Sequence, residues 1–218
     1  MKYFKINVDK LCLFAFITQN LDKKQNNSEV KTIMKKYILT LALSLGLMGS
    51  AFAQLSITTF GATNTIDFEN TIPGVNNGPF RGLGFEPSPV AGELDSDAWA
   101  VNGNFSDGDL PFGGTENTVP SDCARGAVIN AVTTGGIYAY TNGITNFLMV
   151  QLTGSEFNPG TIKLRIQNNS GGIITNLNVS YKVALRNDQP GDNTFKFSHS
   201  PDDMTYTSEP TLMLLRLQ

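Results

Sequence analysis

Two short acidic segments place carboxylates at the spacing that a calcium site uses. The first contains Asp95 and Asp97, and the second contains Asp107 and Asp109. Calcium is bound by about six to eight oxygens, and the neighbouring Gly and Asn residues allow backbone carbonyls to contribute. These four aspartates are therefore candidate ligands of a structural calcium. Neither segment has the full EF-hand pattern, so solvated turns capped by Asp side chains are the alternative interpretation.

Three aromatic residues could form a platform for a sugar ring. Trp99, Tyr138 and Tyr140 combine a flat apolar face with a polar edge, which suits a glycan. Tyr138 and Tyr140 are two residues apart, so in a strand they share one face of the sheet. Packing in the core is the alternative role for each of them.

The candidates for catalysis are weaker. The only histidine, His199, lies before a proline turn, where a solvated side chain is the common outcome. Cys123 has no neighbouring histidine or second cysteine for a thiol-protease pair or a zinc site. Several glutamates could supply the carboxyls of a hydrolase, but no pair of them stands out. A non-catalytic protein is favoured.

An export signal separates a leader from the part of the chain that is expected to fold. Residues 34–53 combine Lys35 and Lys36, a short apolar core and the sequence Ala-Phe-Ala, which is the pattern of a helical, cleavable signal peptide. The apolar core is shorter than the roughly 20 residues of a membrane span. We expect the chain to be secreted or held at the cell surface, with the periplasm as a further location.

The residues on either side of this signal have different interpretations. Residues 1–33 resemble no domain and are interpreted as an over-long gene start, with a long signal n-region or an uncleaved anchor as the alternative. Residues 54–218 are expected to form one mature domain. Eight of the 16 basic and three of the 19 acidic side chains lie before residue 54, which leaves 8 basic and 16 acidic residues and a net charge of −8. Nucleic acid is therefore excluded as a partner, and a cation or a neutral glycan is favoured.

The mature chain has the pattern of half-buried antiparallel strands. Apolar and polar residues alternate in 161–167, 177–185 and 194–198, and residues dense in Gly, Asn and Pro separate these segments. Further strands are expected at 55–60, 66–68, 99–101, 136–140 and 147–152. Residues 70–128 are expected to form long loops. The predicted fold class is all-β, an antiparallel two-sheet sandwich of jelly-roll type.

Four short motifs occur together in one order along the chain. They read GELDSDAWA at 92–100, GGIYAY at 135–140, FNPGT at 157–161 and YKVALRND at 181–188. Over residues 64–207 the chain resembles a β-sandwich module of secreted proteins from Bacteroidota, which often precedes a type IX sorting domain. The resemblance implies export and a sandwich fold, and it implies no chemistry for particular residues.

The sequence after Pro210 departs from this pattern, because it has neither alternation nor a turn. A truncated or frameshifted reading frame is one interpretation, and a genuine edge strand or a short amphipathic end is the other. The function expected from the sequence is an exported, non-catalytic binding or adhesion module that contacts an extracellular glycan or cell-surface polymer. A secreted hydrolase that uses loop carboxylates, or a purely structural spacer, are the alternatives.

Overall fold

The protein is an all-β chain in which short strands alternate with turns. The computed structural model describes residues 54–184, 193–210 and 214–217. The expected gene start and signal peptide lie outside the described residues. In the described part of the chain, no helix has the length and apolar character that crossing a bilayer needs. These residues form two compact units, one up to Leu177 and one from Asn178 onward.

Among the described residues, nine strands lie in the first unit and four in the second. They are β1 (Leu55–Ile57), β2 (Phe85–Glu86), β3 (Leu94–Asp95), β4 (Trp99–Asn102), β5 (Ala127–Val128), β6 (Gly136–Thr141), β7 (Asn146–Gln151), β8 (Thr161–Leu164), β9 (Ile166–Asn168), β10 (Asn193–Phe195), β11 (Ser198–His199), β12 (Thr207–Ser208) and β13 (Leu214–Leu217). Their order confirms an all-β fold, while the two-sheet sandwich stays a prediction.

The strand pairs are antiparallel in the two longest ladders and parallel elsewhere in the first unit. Strands β6 and β7 form an antiparallel hairpin, and β5 joins β6 in parallel to complete a three-stranded sheet. Strands β4 and β8 are antiparallel, whereas β1–β9 and β2–β3 are parallel. The expectation of an antiparallel fold is therefore wrong for three strand pairs, each of which is joined by a connection longer than a tight hairpin turn.

The core of the first unit draws on the region that the sequence assigned to long loops. Val75 and Phe80 are fully buried although neither belongs to a strand, and Phe85 and Leu94 are buried in the short strands β2 and β3. Residues 70–128 are thus irregular in backbone but supply a large share of the apolar packing. Burial of such side chains stabilises the fold by about 1.5–3 kcal/mol each.

The alternation in 161–167 marks two strands and not one. Ile162 and Leu164 pack against the core as expected, but Ile166 is exposed. The reason lies at Arg165, whose N–H donates to the Ala98 carbonyl at 2.8 Å while its own carbonyl accepts from the N–H of Leu55 at 3.2 Å. The chain changes partner at this residue, from β4 to β1, so the side-chain face is not continuous.

Three other expected strands are not formed as predicted, and one of them, 194–198, is divided between β10 and β11. Residues 66–68 and the described residues 177–184 have no strand pairing, and Leu177 is exposed. In the second unit, β10 pairs with β13 and β11 with β12, both antiparallel. The segment Leu214–Leu217 therefore has the conformation of the edge-strand alternative.

Candidate functional site

The first acidic pair forms a local turn. Asp95 is buried at the end of β3, and its Oδ1 accepts a hydrogen bond from the N–H of Asp97 at 2.9 Å. Burial, opposed by that hydrogen bond and reinforced by the nearby Asp97 carboxylate, raises the pKa of Asp95. This arrangement is an Asx turn, in which the side chain replaces a backbone acceptor.

The second acidic pair is also engaged with its own chain. Asp109 accepts hydrogen bonds from Asn102 Nδ2 and from the N–H of Gly103, the latter at 3.0 Å. Asp107 Oδ2 accepts from the N–H of Asp122 at 3.4 Å. Partial burial, followed by a hydrogen bond with the Asp122 carboxyl, raises the pKa of Asp107.

The four aspartates lie in two separate turns of the described chain. Within the residues that the structure describes, no three or more His, Cys, Asp or Glu side chains are grouped so that they could hold a metal ion. Asp95 and Asp97 share one turn, while Asp107 faces Asp122 instead of the first pair. The calcium site therefore stays a prediction, since spacing along the sequence brings ligands together only within each loop.

A buried ion pair that the sequence analysis missed lies beside the three-stranded sheet. Asp122 forms a short ion pair with Arg125 and accepts from both the N–H and the hydroxyl of Ser106, at 3.0 and 3.2 Å. Arg125 Nε donates to the Gly135 carbonyl at 2.8 Å, and a guanidinium nitrogen lies 3.9 Å from Glu156. The pair is three residues apart in a turn, so no periodic signal marks it. Its geometry cross-links the loop before β5 to the start of β6.

Trp99 and Tyr138 are packing residues. The indole of Trp99 is 7% exposed and donates its N–H to the Val75 carbonyl at 3.1 Å. Tyr138 is 5% exposed, and its hydroxyl donates to the Thr134 carbonyl at 2.9 Å. Burial raises the pKa of Tyr138. Because both rings are covered, neither offers a face for stacking, which corrects the sequence-based assignment of these two residues.

Tyr140 is the one predicted platform residue at the surface, and it has apolar neighbours on both sides. In the three-stranded sheet it lies opposite Val128 of β5 and Phe147 of β7. The rings of Tyr140 and Phe147 are 6.3 Å apart and tilted by 40°. Met149 follows two residues after Phe147 on the same face. We call Val128, Tyr140, Phe147 and Met149 the outer stripe; all four are half-buried.

The outer stripe lies on the face opposite to the core. Leu148 and Val150 of β7 pack against the core, as Ile137 and Ala139 of β6 do. Alternation therefore directs the stripe away from it. Both faces of the β6–β7 hairpin are thus apolar, and the outer face is partly open to solvent. The sequence feature that indicates the outer stripe is the near-continuous apolar run in β7, which is typical of a strand with contacts on both faces.

Cys123 and His199, the weaker candidates for catalysis, each contact a carboxylate of the same chain. Cys123 is fully buried, and burial followed by the nearby Glu116 carboxylate raises the pKa of its thiol, which keeps it protonated and unreactive. Its backbone N–H donates to Glu116 Oε1 at 2.7 Å. In the second unit, the exposed His199 has Nδ1 3.1 Å from Glu209 Oε1.

Comparison of the chain with models of known protein families, with curated proteins and with solved structures found no match. The resemblance to a secreted Bacteroidota module therefore stays a prediction. What supports a function is the chain's own surface, and in the first unit this is the outer stripe.

Proposed function

We propose that this protein is an exported, non-catalytic binding module whose outer stripe contacts an extracellular glycan or cell-surface polymer. The observation that carries the proposal is the pair formed by Tyr140 and Phe147, two half-exposed rings side by side on one sheet face. A pyranose ring has an apolar face of C–H groups that packs on such rings, while its hydroxyls stay in water.

The charge of the mature region favours a neutral ligand. Residues 54–218 have a net charge of −8, and a polyanion would be repelled by this surplus of carboxylates. Several of these carboxylates already accept hydrogen bonds from their own chain, as Asp95, Asp109 and Asp122 do. This engagement supports binding over hydrolysis, since a glycosidase requires two carboxyls that are free to act on the substrate.

Export and a sandwich fold belong to the same proposal. The signal-like segment 34–53 supports export through the general secretory route, and the four ordered motifs support membership of the secreted Bacteroidota modules. Two core-facing surfaces support a sandwich: Ile137 and Leu148 from one sheet, and Val101 and Ile162 from the β4–β8 pair, belong to one apolar cluster. Sheets that share a core in this way are the basis of sandwich folds.

A glycan array with the purified full chain tests this function. We expect binding to neutral polysaccharides, and we expect Tyr140→Ala and Phe147→Ala each to weaken it by up to about tenfold, the loss of one stacked ring. Phe60→Ala is the matched control, because Phe60 is 72% exposed but lies outside the three-stranded sheet. Release of sugar from any bound glycan would support the hydrolase alternative. Binding that survives both stripe substitutions would reject the outer stripe as the site.

A further inference from the structure

Strand β7 has one edge that no other strand covers in the described part of the chain. The three-stranded sheet has the order β5-β6-β7, so β7 is its last strand. The N–H groups of Ile137 and Ala139 in β6 donate towards β5, at 2.7 and 3.0 Å. By alternation Tyr138 and Tyr140 bond with β7, and their opposite residues are Met149 and Phe147.

The free edge is consequently presented by Leu148 and Val150. In an antiparallel ladder, the residues that do not bond with one neighbour direct their N–H and C=O groups to the other side. The backbone groups of Asn146 also point to the free edge. Its N–H and its Nδ2, however, donate to the Glu69 carboxylate, the latter at 3.1 Å. Glu69 thus closes one end of the edge and leaves two residues of the strand open.

Strand β7 also lacks the features that prevent pairing between exposed edges. Its sequence is NFLMVQ, with no charged residue, no proline and no glycine. Natural edge strands are commonly protected by an inward charge, by proline or by a bulge, because an unpaired ladder is a template for another strand. The six residue pairs of β6 and β7 are in continuous register, without a bulge.

We infer that two copies of this chain pair through their β7 edges, antiparallel and centred on Met149. In this register Leu148 of one protomer lies opposite Val150 of its partner, and each such pair exchanges two backbone hydrogen bonds. The Met149 side chains of the two protomers meet at the two-fold axis. An isologous contact of this kind uses the same surface on both copies and closes on itself.

The neighbouring registers fit less well. A pairing centred on Leu148 would need the N–H of Asn146, which Glu69 already binds. A pairing centred on Val150 would need Leu152, which lies beyond the end of β7 at Gln151. Centring on Met149 uses both open residues of each protomer and no group that is already bonded.

The pairing has a consequence for ligand binding that rests on the proposed function. A continuous six-stranded sheet would carry both outer stripes on the same face, since side chains alternate across each strand. Two stripes in one assembly would bind a polymer with repeated sugars more tightly than either stripe alone. The pairing itself depends only on the backbone of β7, so it is tested without any glycan.

Sedimentation velocity of the full chain over a concentration series tests the pairing. We expect a reversible monomer–dimer equilibrium in the wild-type protein. Met149→Lys and Met149→Glu each place like charges opposite each other at the axis, and we expect each to weaken the dimer by about fivefold or more. An equimolar mixture of the two variants should restore a dimer, because the opposed charges then attract. Ile144→Lys is the control, since Ile144 is 89% exposed in the β6–β7 turn and outside the ladder.

A covalent test locates the axis independently of the charge variants. Met149→Cys should form an interchain disulfide under mild oxidation, because directly opposite residues in a non-hydrogen-bonded pair have the short Cβ separation that this bond requires. Ile144→Cys under the same conditions should cross-link more slowly. The inference is overturned by a wild-type chain that stays monomeric at all concentrations. It is equally overturned by a dimer that the charge variants leave unchanged, or by equal cross-linking at the two positions.

Discussion

Replacing Asp122 by Asn tests whether the buried ion pair stabilises the fold. The side chain of Asp122 is 4% exposed and that of its partner Arg125 is 15% exposed. The substitution keeps the size of the side chain but removes its charge. Among the described residues, the carboxylate that then remains paired with Arg125 is the more distant Glu156, at 3.9 Å. Ser106, which donates two hydrogen bonds to Asp122, would compete with the guanidinium for a single acceptor oxygen.

The size of the effect follows from these contacts. Removing one partner of a buried ion pair costs about 3–5 kcal/mol, chiefly because the remaining charge is left without compensation. Arg125 is slightly open to water and keeps its hydrogen bond to the Gly135 carbonyl, so the low end of this range applies. We therefore expect a loss of about 3 kcal/mol, which in a domain of this size lowers the melting temperature by roughly 6–12 °C.

Urea denaturation of the full chain measures the loss, and Asp109→Asn is the control. Asp109 accepts two hydrogen bonds but is exposed and has no cation beside it among the described residues, so the same substitution there should cost less than about 1 kcal/mol. A double-mutant cycle with Arg125→Gln should give a coupling of about 1–3 kcal/mol. Equal losses at the two aspartates, or a coupling near zero, would show that the Asp122–Arg125 ion pair does not stabilise the fold.

Three further predictions address the core and the turns. The folded-state pKa of Asp95 is raised above its ordinary value of 3.8. The stability that the Asp95 carboxyl contributes is therefore fully present below pH 3.8 and is lost as the pH rises through the raised pKa. Asp95→Asn should remove this loss in thermal melts recorded from acidic to neutral pH. Trp99→Phe deletes the indole hydrogen bond to Val75 and leaves a void, which should cost about 2 kcal/mol in urea denaturation. Gly136 has a φ of 127°, and a Cβ there would lie 2.9 Å from Arg125 Nε, so Gly136→Ala should lower stability by about 1–3 kcal/mol or more in the same assay.

Burial at every second position is found in some of the predicted strands and not in others, since the alternating residues 177–184 have no strand pairing. The hairpin of β6 and β7 and the first half of 161–167 have this period, and their alternate side chains pack on the core. This period is absent from residues 70–128, where Val75 and Phe80 are buried although they lie outside the strands. A turn can bury a side chain at any position, so such residues leave no periodic trace in the sequence.

The candidate site was predicted in part, for a similar reason. Tyr138 and Tyr140 share a face, as the two-residue spacing requires, yet only Tyr140 is at the surface. Tyr138 is buried, and its hydroxyl donates to the Thr134 carbonyl in the loop before β6. Spacing determines which face a side chain occupies, whereas its exposure depends on loops that return from elsewhere in the sequence.

Strand β6 connects the stability of the first unit with its surface. The Ile137 N–H donates to the carbonyl of Asp122, and the Ile137 carbonyl accepts from the Arg125 N–H, so both members of the ion pair are fixed to this strand through their backbones. The other edge of β6 holds β7 over six residue pairs. The ion pair thus positions β6 along one edge, and β7 with its open edge lies along the other. A single well-packed strand is therefore sufficient to present both an aromatic surface and a free edge on a rigid element, which is the arrangement that precise binding requires.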